Sequence, residues 1–113
     1  MITAADLRAL ALALPGASES PHFDRASFRS NKKIFVTLTA DGTEAMVKLP
    51  DPELVGTLLT TEPEVYFSYG GWTAKGGATG VRLAQVDPAR MGELVRLAWA
   101  GVQPAPRKRA SGG

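Results

Sequence analysis

The stretch from Tyr69 to Leu83 reads "YGGWTAKGGATGVRL", which combines five glycines with lysine, arginine and tryptophan and has no acidic residue. Glycine-rich loops bind nucleotide phosphates when a lysine and a hydroxyl residue follow the second glycine of the motif. Gly71 and Gly76 have the separation that a P-loop requires, but Gly77 and Ala78 stand in place of the lysine and the hydroxyl. The loop also joins two predicted strands, so it offers no helix N-terminus to an anion. The sequence therefore excludes a P-loop in this stretch.

The same stretch leaves two other interpretations open. Its glycines are typical of a flexible hairpin loop with no further role. Alternatively, the loop is the tip of a hairpin that contacts a nucleic acid, with Trp72 stacked on a base and with Lys75 and Arg82 at phosphates. These three residues are our first candidates for nucleic-acid binding.

A second group of basic residues surrounds the predicted turn "SNKK". Lys32 in this turn, with Arg25 and Arg29 on the outward face of the adjoining strand, could form a basic stripe that contacts phosphates. Because adjacent residues leave a strand on opposite faces, only one of Lys32 and Lys33 can belong to the stripe. A polar, solvent-facing side of the sheet explains the same pattern.

Residues suited to catalysis or metal binding are scarce. His22 is the single histidine and there is no cysteine. His22 near Asp24 could orient a serine nucleophile, but a histidine beside a proline at a strand entrance is more typical of a structural role. One histidine and scattered acidic residues do not make a metal site. We therefore expect a non-enzymatic protein with no catalytic residue, no metal and no cofactor.

Apolar periodicity predicts the elements that position these side chains. A helical apolar face indicates a first helix from Ala4 to Leu14, capped by Thr3 and ended by a proline and a glycine. Three strands follow, "RASFRS", "KIFVTLT" and "EAMVKLP", and in the second of them Ile34, Val36 and Leu38 lie opposite Phe35, Thr37 and Thr39. Asp41-Gly42 predicts a type I′ turn between the last two strands, and Ser30 to Lys33 a turn between the first two.

Two further helices begin in the same way, with Asp51-Pro52 and Asp87-Pro88 supplying a capping carboxylate and then a proline. Between them, "VYFSY" and "TGVRLAQV" are predicted strands. The predicted order is α-β-β-β-α-β-β-α, a meander plus a hairpin in one antiparallel sheet with three helices. Helices on one side of such a sheet make a single α+β domain.

The basic character of the chain is concentrated near its last residues. The sequence pI is about 9.2, yet Arg107, Lys108 and Arg109 lie in the tail "QPAPRKRASGG", whose composition predicts disorder. Without these three, 10 of the 13 basic residues remain against 11 acidic ones. The tail alone predicts weak attraction to any polyanion, so specific binding requires cations that the fold brings together.

The sequence also bears on where the protein resides. No apolar stretch approaches membrane-spanning length, and the N-terminal residues lack the basic region of a signal peptide. We expect a cytoplasmic protein without a membrane partner.

Several segments together resemble the MmcQ/YjbR-like family of small bacterial proteins over residues 1 to about 102: "LALPGASESPHF", "FRSNKKIFVTL", "VKLPDPEL", "EVYF", "GGW", "VRL" and "ELVRLAWAGV". The resemblance implies a CyaY-like α+β fold with a double-wing arrangement akin to DNA-binding domains. Many relatives have a basic residue and a histidine before the tryptophan, where this chain has Gly70 and Gly71. Any role of that histidine is therefore not carried over.

We thus expect a domain over residues 1–102 and a disordered basic tail over 103–113. The leading hypothesis is DNA binding, with these candidate residues: Arg25, Arg29, Lys32, Trp72, Lys75, Arg82, Arg107, Lys108 and Arg109. A protein- or peptide-interaction module that uses the sheet is the alternative. A third possibility is a small anionic metabolite, which requires a pocket near the glycine-rich loop.

Overall fold

The computed structural model describes residues 2–70 and 77–104. In chain order its elements are α1 (Ala4–Leu12), β1 (Ser18–His22), β2 (Arg25–Ser30), β3 (Lys33–Leu38), β4 (Glu44–Lys48), α2 (Pro52–Thr61), β5 (Tyr66–Ser68), β6 (Ala78–Arg82) and α3 (Pro88–Gly101). The strands form one antiparallel sheet in the order β1-β2-β3-β4-β6-β5. The expected α+β domain with three helices is confirmed.

One strand was missing from the sequence-based order. β1 pairs with β2 along its whole length, from Ser18↔Arg29 to His22↔Arg25. Its sequence "SESPH" has no apolar alternation and contains a proline, so no local pattern predicts a strand there. Pro21 is tolerated because β1 lies at the edge of the sheet, where one side of the strand makes no ladder bonds. The order is therefore α-β-β-β-β-α-β-β-α.

The strand register places apolar side chains on one face of the sheet. Phe28, Val36 and Val47 are aligned across β2, β3 and β4, and each is fully buried. Tyr66 and Val81 lie on the same face, which packs against apolar residues of the helices: Leu7, Leu58, Met91, Leu94 and Ala98. Burial of each large apolar side chain contributes about 1.5–3 kcal/mol, so this layer supplies most of the stability.

A bulge in β3 changes the predicted alternation. The register passes from Phe28↔Val36 to Arg29↔Ile34, so Phe35 is an extra residue with no partner on β2. Such a bulge bends the strand and disturbs its strict alternation. Phe35 is consequently as fully buried as Val36, instead of lying on the opposite face.

The type I′ turn lies in a different hairpin from the one expected. Asn31 and Lys32, between β2 and β3, both have positive φ, of 53° and 65°. In the β3–β4 loop only Gly42 has positive φ, of 74°, and its amide donates to the Thr39 carbonyl. The Asp41-Gly42 prediction of a type I′ turn was therefore wrong, whereas the Ser30–Lys33 turn is confirmed.

The helix starts follow the predicted caps. Thr3 and Asp6 form a reciprocal capping box at α1, and Asp51 and Asp87 accept from main-chain amides at the starts of α2 and α3. α1 ends at Leu12, two residues before the expected Leu14. None of the helices in the described part of the chain is long and apolar enough to cross a membrane.

Candidate functional site

The face of the sheet opposite the helices, here called the helix-free face, carries the candidate site. The row Ser27, Thr37, Met46, Gly80 and Phe67 runs across β2, β3, β4, β6 and β5 and points away from the buried apolar rows. Residues two positions along each strand share this face, because side chains alternate. Arg25 and Arg29 thus flank Ser27 on β2, and Arg82 follows Gly80 on β6.

Two aromatic rings and two arginines pack together on this face. The rings of Phe67 and Tyr69 lie with centroids 5.4 Å apart. The guanidinium carbon of Arg82 lies 4.7 Å from the Phe67 centroid, and that of Arg25 lies 5.9 Å from the Tyr69 centroid. Cation–π contacts hold the guanidinium planes beside the rings without neutralising their charge.

Neutral oxygens hold two of the arginines in place. Arg82 Nη1 donates to the carbonyls of Pro63 and Glu64, at 3.2 and 3.4 Å. Arg29 Nε donates to Ser20 Oγ at 3.1 Å. The ion pairs in residues 2–70 and 77–104 are Arg8–Glu19 and Arg90–Glu93, so within that part of the chain no arginine of the helix-free face pairs with a carboxylate.

A cleft of about 280 Å³ opens on this face beside Arg25. The described residues that line it are His22, Phe23, Asp24, Arg25, Thr37, Met46, Tyr69 and Ala78, none of which belongs to a helix. The mainly apolar wall with a few polar groups is typical of small-molecule sites.

Phe23 at the rim of the cleft is unusual in two respects. It is 92% exposed, although large aromatic side chains normally gain stability by burial. Its φ is 59°, a left-handed conformation that is unfavourable for a bulky residue and that glycine adopts freely. Its ring makes an edge contact with His22, with centroids 4.8 Å apart.

Two residues that line the cleft, Thr37 and Tyr69, have buried hydroxyl groups without a hydrogen-bond partner among the described residues. Thr37 is only 4% exposed, and neither its Oγ1 nor the buried Tyr69 hydroxyl makes a hydrogen bond there. Buried polar groups are nearly always satisfied, so each exception calls for a ligand, a water or a functional explanation.

Acidic residues limit the positive charge of this face. Glu44 is the cross-strand neighbour of Arg82, and Asp24 precedes Arg25 in the wall of the cleft. Lys48 lies on the same face as Glu44, four positions along β4. Among the described residues of this face, three arginines and one lysine against these two carboxylates leave an excess of positive charge.

The predicted site residues fall into three groups. Arg25, Arg29 and Arg82 lie together on the helix-free face. Lys32 is exposed at the β2–β3 turn, near the end of α3, where Asn31 Nδ2 donates to the Val102 carbonyl at 3.2 Å. The remaining candidates lie outside the described residues: Trp72, Lys75, Arg107, Lys108 and Arg109.

Sequence reasoning missed several residues of the cleft and of the aromatic pair beside it. Phe23 was seen only as part of a segment, and Thr37, Phe67 and Tyr69 only as strand positions. The stretch "HFDR" contained one clue, because an aromatic residue in a two-residue turn gains nothing from local structure. The hydroxyls gave no such clue, since their isolation depends on which strands become neighbours.

Comparison with known proteins agrees with this architecture. The model of the YjbR family matches residues 12–100. The crystal structure of Deinococcus radiodurans protein DR2400, which has a DUF419 domain, superimposes with a TM-score of 0.74 at 23% identity. The match covers 88% of this chain and 77% of that one, and at this identity it shows the fold alone. No curated protein matches the chain.

Proposed function

Because the chain belongs to the YjbR family, which fixes its fold but not its role, we propose that it is a non-enzymatic protein that binds DNA through the helix-free face. In this proposal Arg25, Arg29 and Arg82 contact phosphates. Phosphate contacts supply most of the affinity of a sequence-independent complex.

The observation that carries the proposal is the convergence of three arginines from two strands on one face. Among the described residues, their partners are hydroxyl and carbonyl oxygens and aromatic rings, none of which neutralises a guanidinium. β2 and β6 are three strand spacings apart, about 14 Å. Arginines at this separation can contact phosphates of one strand several nucleotides apart.

Lys32 and the basic tail have a secondary part in the proposal. Gln103 Nε2 donates to Ser30 Oγ at 2.9 Å, so the chain passes beside the β2–β3 turn before the tail begins. The tail can add non-specific attraction, and a test of the folded body must therefore remove it.

Fluorescence anisotropy over a salt series tests the proposal. A version of the protein that ends at Gln103 is titrated into a labelled DNA of one sequence, as a duplex and as a single strand. The variant with Arg25→Gln, Arg29→Gln and Arg82→Gln is compared with it. Each phosphate contact contributes about 0.9 to the log–log salt slope on duplex and about 0.7 on a single strand, so the triple variant should lower the slope by ~2–3.

Arg96→Gln is the matched control, because it removes an exposed arginine from α3 in the helix layer. It should leave both the affinity and the salt slope unchanged. If the version ending at Gln103 shows no salt-dependent binding at micromolar concentrations, the helix-free face does not bind DNA and the proposal is wrong.

A further inference from the structure

We propose that the cleft beside Tyr69 takes a single unpaired nucleobase, so that the protein binds single strands more tightly than duplexes. The inference rests on the proposed function, because it specifies the form of nucleic acid that the same face binds. It concerns the other residues of the cleft, since Arg25 in the cleft wall is already assigned to a phosphate.

The size of the cleft suits one planar group. Its volume of about 280 Å³ lies just below the roughly 300–1,000 Å³ of sites for drug-sized ligands. Met46 and Ala78 provide apolar surface, and Tyr69 and Phe23 provide aromatic surface. Bases stack on such surfaces whatever their identity, because every base has a π-face.

Phe23 supplies the strongest argument for a stacking partner. Its exposed ring and its φ of 59° both cost stability in the free protein, and neither is offset by a contact in the core. A base stacked on the ring would bury it. The turn holds the ring at the rim of the cleft, beside His22, where a base that enters would meet it.

The hydroxyl groups of Thr37 and Tyr69 supply the polar contacts. Both residues line the cleft, and both hydroxyls are buried without a partner among the described residues. A hydroxyl both donates and accepts, so it can pair with the donors and acceptors along the edge of any base. This arrangement favours binding of a base with little discrimination between the four.

A duplex must spend free energy to unpair and unstack a base before that base can enter the cleft. Its bases are stacked and paired, and a base reaches a pocket only after it leaves the helix. In a single strand the bases are free to turn outward while Arg25 and Arg82 contact the backbone on either side. The cleft therefore predicts a preference for single strands.

The test uses the full chain with one oligonucleotide that contains 2-aminopurine, as a single strand and as a duplex. Stacking in the cleft should change 2-aminopurine fluorescence for the single strand, and the single strand should bind at least several-fold more tightly. Phe23→Gly should weaken single-strand binding about five- to 150-fold, the range expected for loss of one base–aromatic stack, and should leave duplex binding unchanged.

Two features of the variants separate binding from folding. Glycine suits the φ of position 23, so Phe23→Gly should melt at the same temperature as the parent or higher. Thr37→Val keeps the shape of the side chain and removes an unpartnered hydroxyl, so it should not lower the melting temperature but should weaken single-strand binding several-fold. Leu12→Ala removes an exposed apolar side chain from α1 and should change neither the melting temperature nor single-strand binding.

The outcomes distinguish the two proposals. Equal affinity for both forms, with no effect of Phe23→Gly or Thr37→Val, overturns the nucleobase site and leaves DNA binding by the arginines intact. Binding of neither form overturns both proposals and favours a protein or peptide partner for this face.

Discussion

The ring of Phe67 lies directly over Gly80, so that a Cβ at position 80 would stand 2.3 Å from the ring atoms Cε2 and Cζ. Gly80→Ala should therefore displace the ring and its contact with Arg82. We expect a loss of about 1–3 kcal/mol in the free energy of unfolding, as for other overpacked sites. Urea denaturation followed by circular dichroism measures this change.

Gly56→Ala is the control for this prediction. Gly56 is an exposed position inside α2, and a Cβ there meets nothing within 4 Å. The same chemical change should raise the free energy of unfolding by about 0.5–1 kcal/mol, since alanine favours the helix more than glycine does. If both substitutions stabilise, the packing of Phe67 on Gly80 is not as described.

Asp41 should give stability a dependence on acid pH. Its carboxylate accepts from the hydroxyls of Thr39 and Thr43, both at 2.7 Å, and from the Thr43 amide at 3.0 Å. The Thr39 and then the Thr43 bonds lower the pKa of Asp41 below its ordinary value of 3.8. A lowered pKa means that the stabilisation is complete above the unfolded value and is lost as pH falls through the folded one.

Melting temperatures of the parent and of Asp41→Asn, measured from about pH 2 to 7, test this dependence. The parent should melt higher above pH ~5, and the difference should shrink toward pH 2. A constant difference for Asp41→Asn across the range would contradict the role of the hydrogen bonds.

Among the elements, the β2–β3 turn carries the clearest local strain. Lys32 has a φ of 65° at the second central position of a type I′ turn, where glycine is strongly preferred. Lys32→Gly should therefore raise the free energy of unfolding by about 0.5–1 kcal/mol, as measured by the denaturation midpoint. Lys33→Gly, one residue later in β3, should lower it by a similar amount, because glycine weakens a strand.

The elements also show where sequence reasoning succeeds and where it stops. The helix starts were predictable because Thr3, Asp51 and Asp87 act on amides of their own first turns. The turns were harder, since Asp-Gly is only a preference, and three hydrogen bonds to the Asp41 carboxylate select a wider loop. The bulge at Phe35 could not be predicted, because it depends on the register with β2.

For the whole molecule, the residues just after α3 should be the last ones that the domain needs for its stability. Val102 is 3% exposed and accepts from Asn31, and Gln103 donates to Ser30 Oγ and to the Trp99 carbonyl. A chain that ends at Gln103 should melt within a few degrees of the full chain. A chain that ends at Gly101 should lose about 2–4 kcal/mol, from one buried valine and its hydrogen bonds.

Differential scanning calorimetry of the two shortened chains measures this boundary. Equal melting temperatures for both would show that residues 102 and 103 do not stabilise the domain. A large loss already at Gln103 would place stabilising contacts in the tail, contrary to the expected division between domain and tail.

The candidate site was only partly predictable at this scale. Alternation along β2 correctly placed Arg25 and Arg29 on the face away from the apolar rows. The cleft joins residues around position 22 with others near 37, 46, 69 and 78, which only the strand order brings together. No pattern within one segment contains that information.

The proline in the outermost strand β1 has a consequence for how these molecules behave together. Beside the two-residue turn at Phe23, the alternation of an antiparallel pair directs the nitrogen of Pro21 outward, away from β2. A strand of a neighbouring copy that approached β1 would meet the Pro21 ring where a ladder needs an N–H donor. At the opposite edge of the sheet, β5 is only three residues long. Both margins thus discourage the strand-by-strand growth from one copy to the next that leads to fibrils.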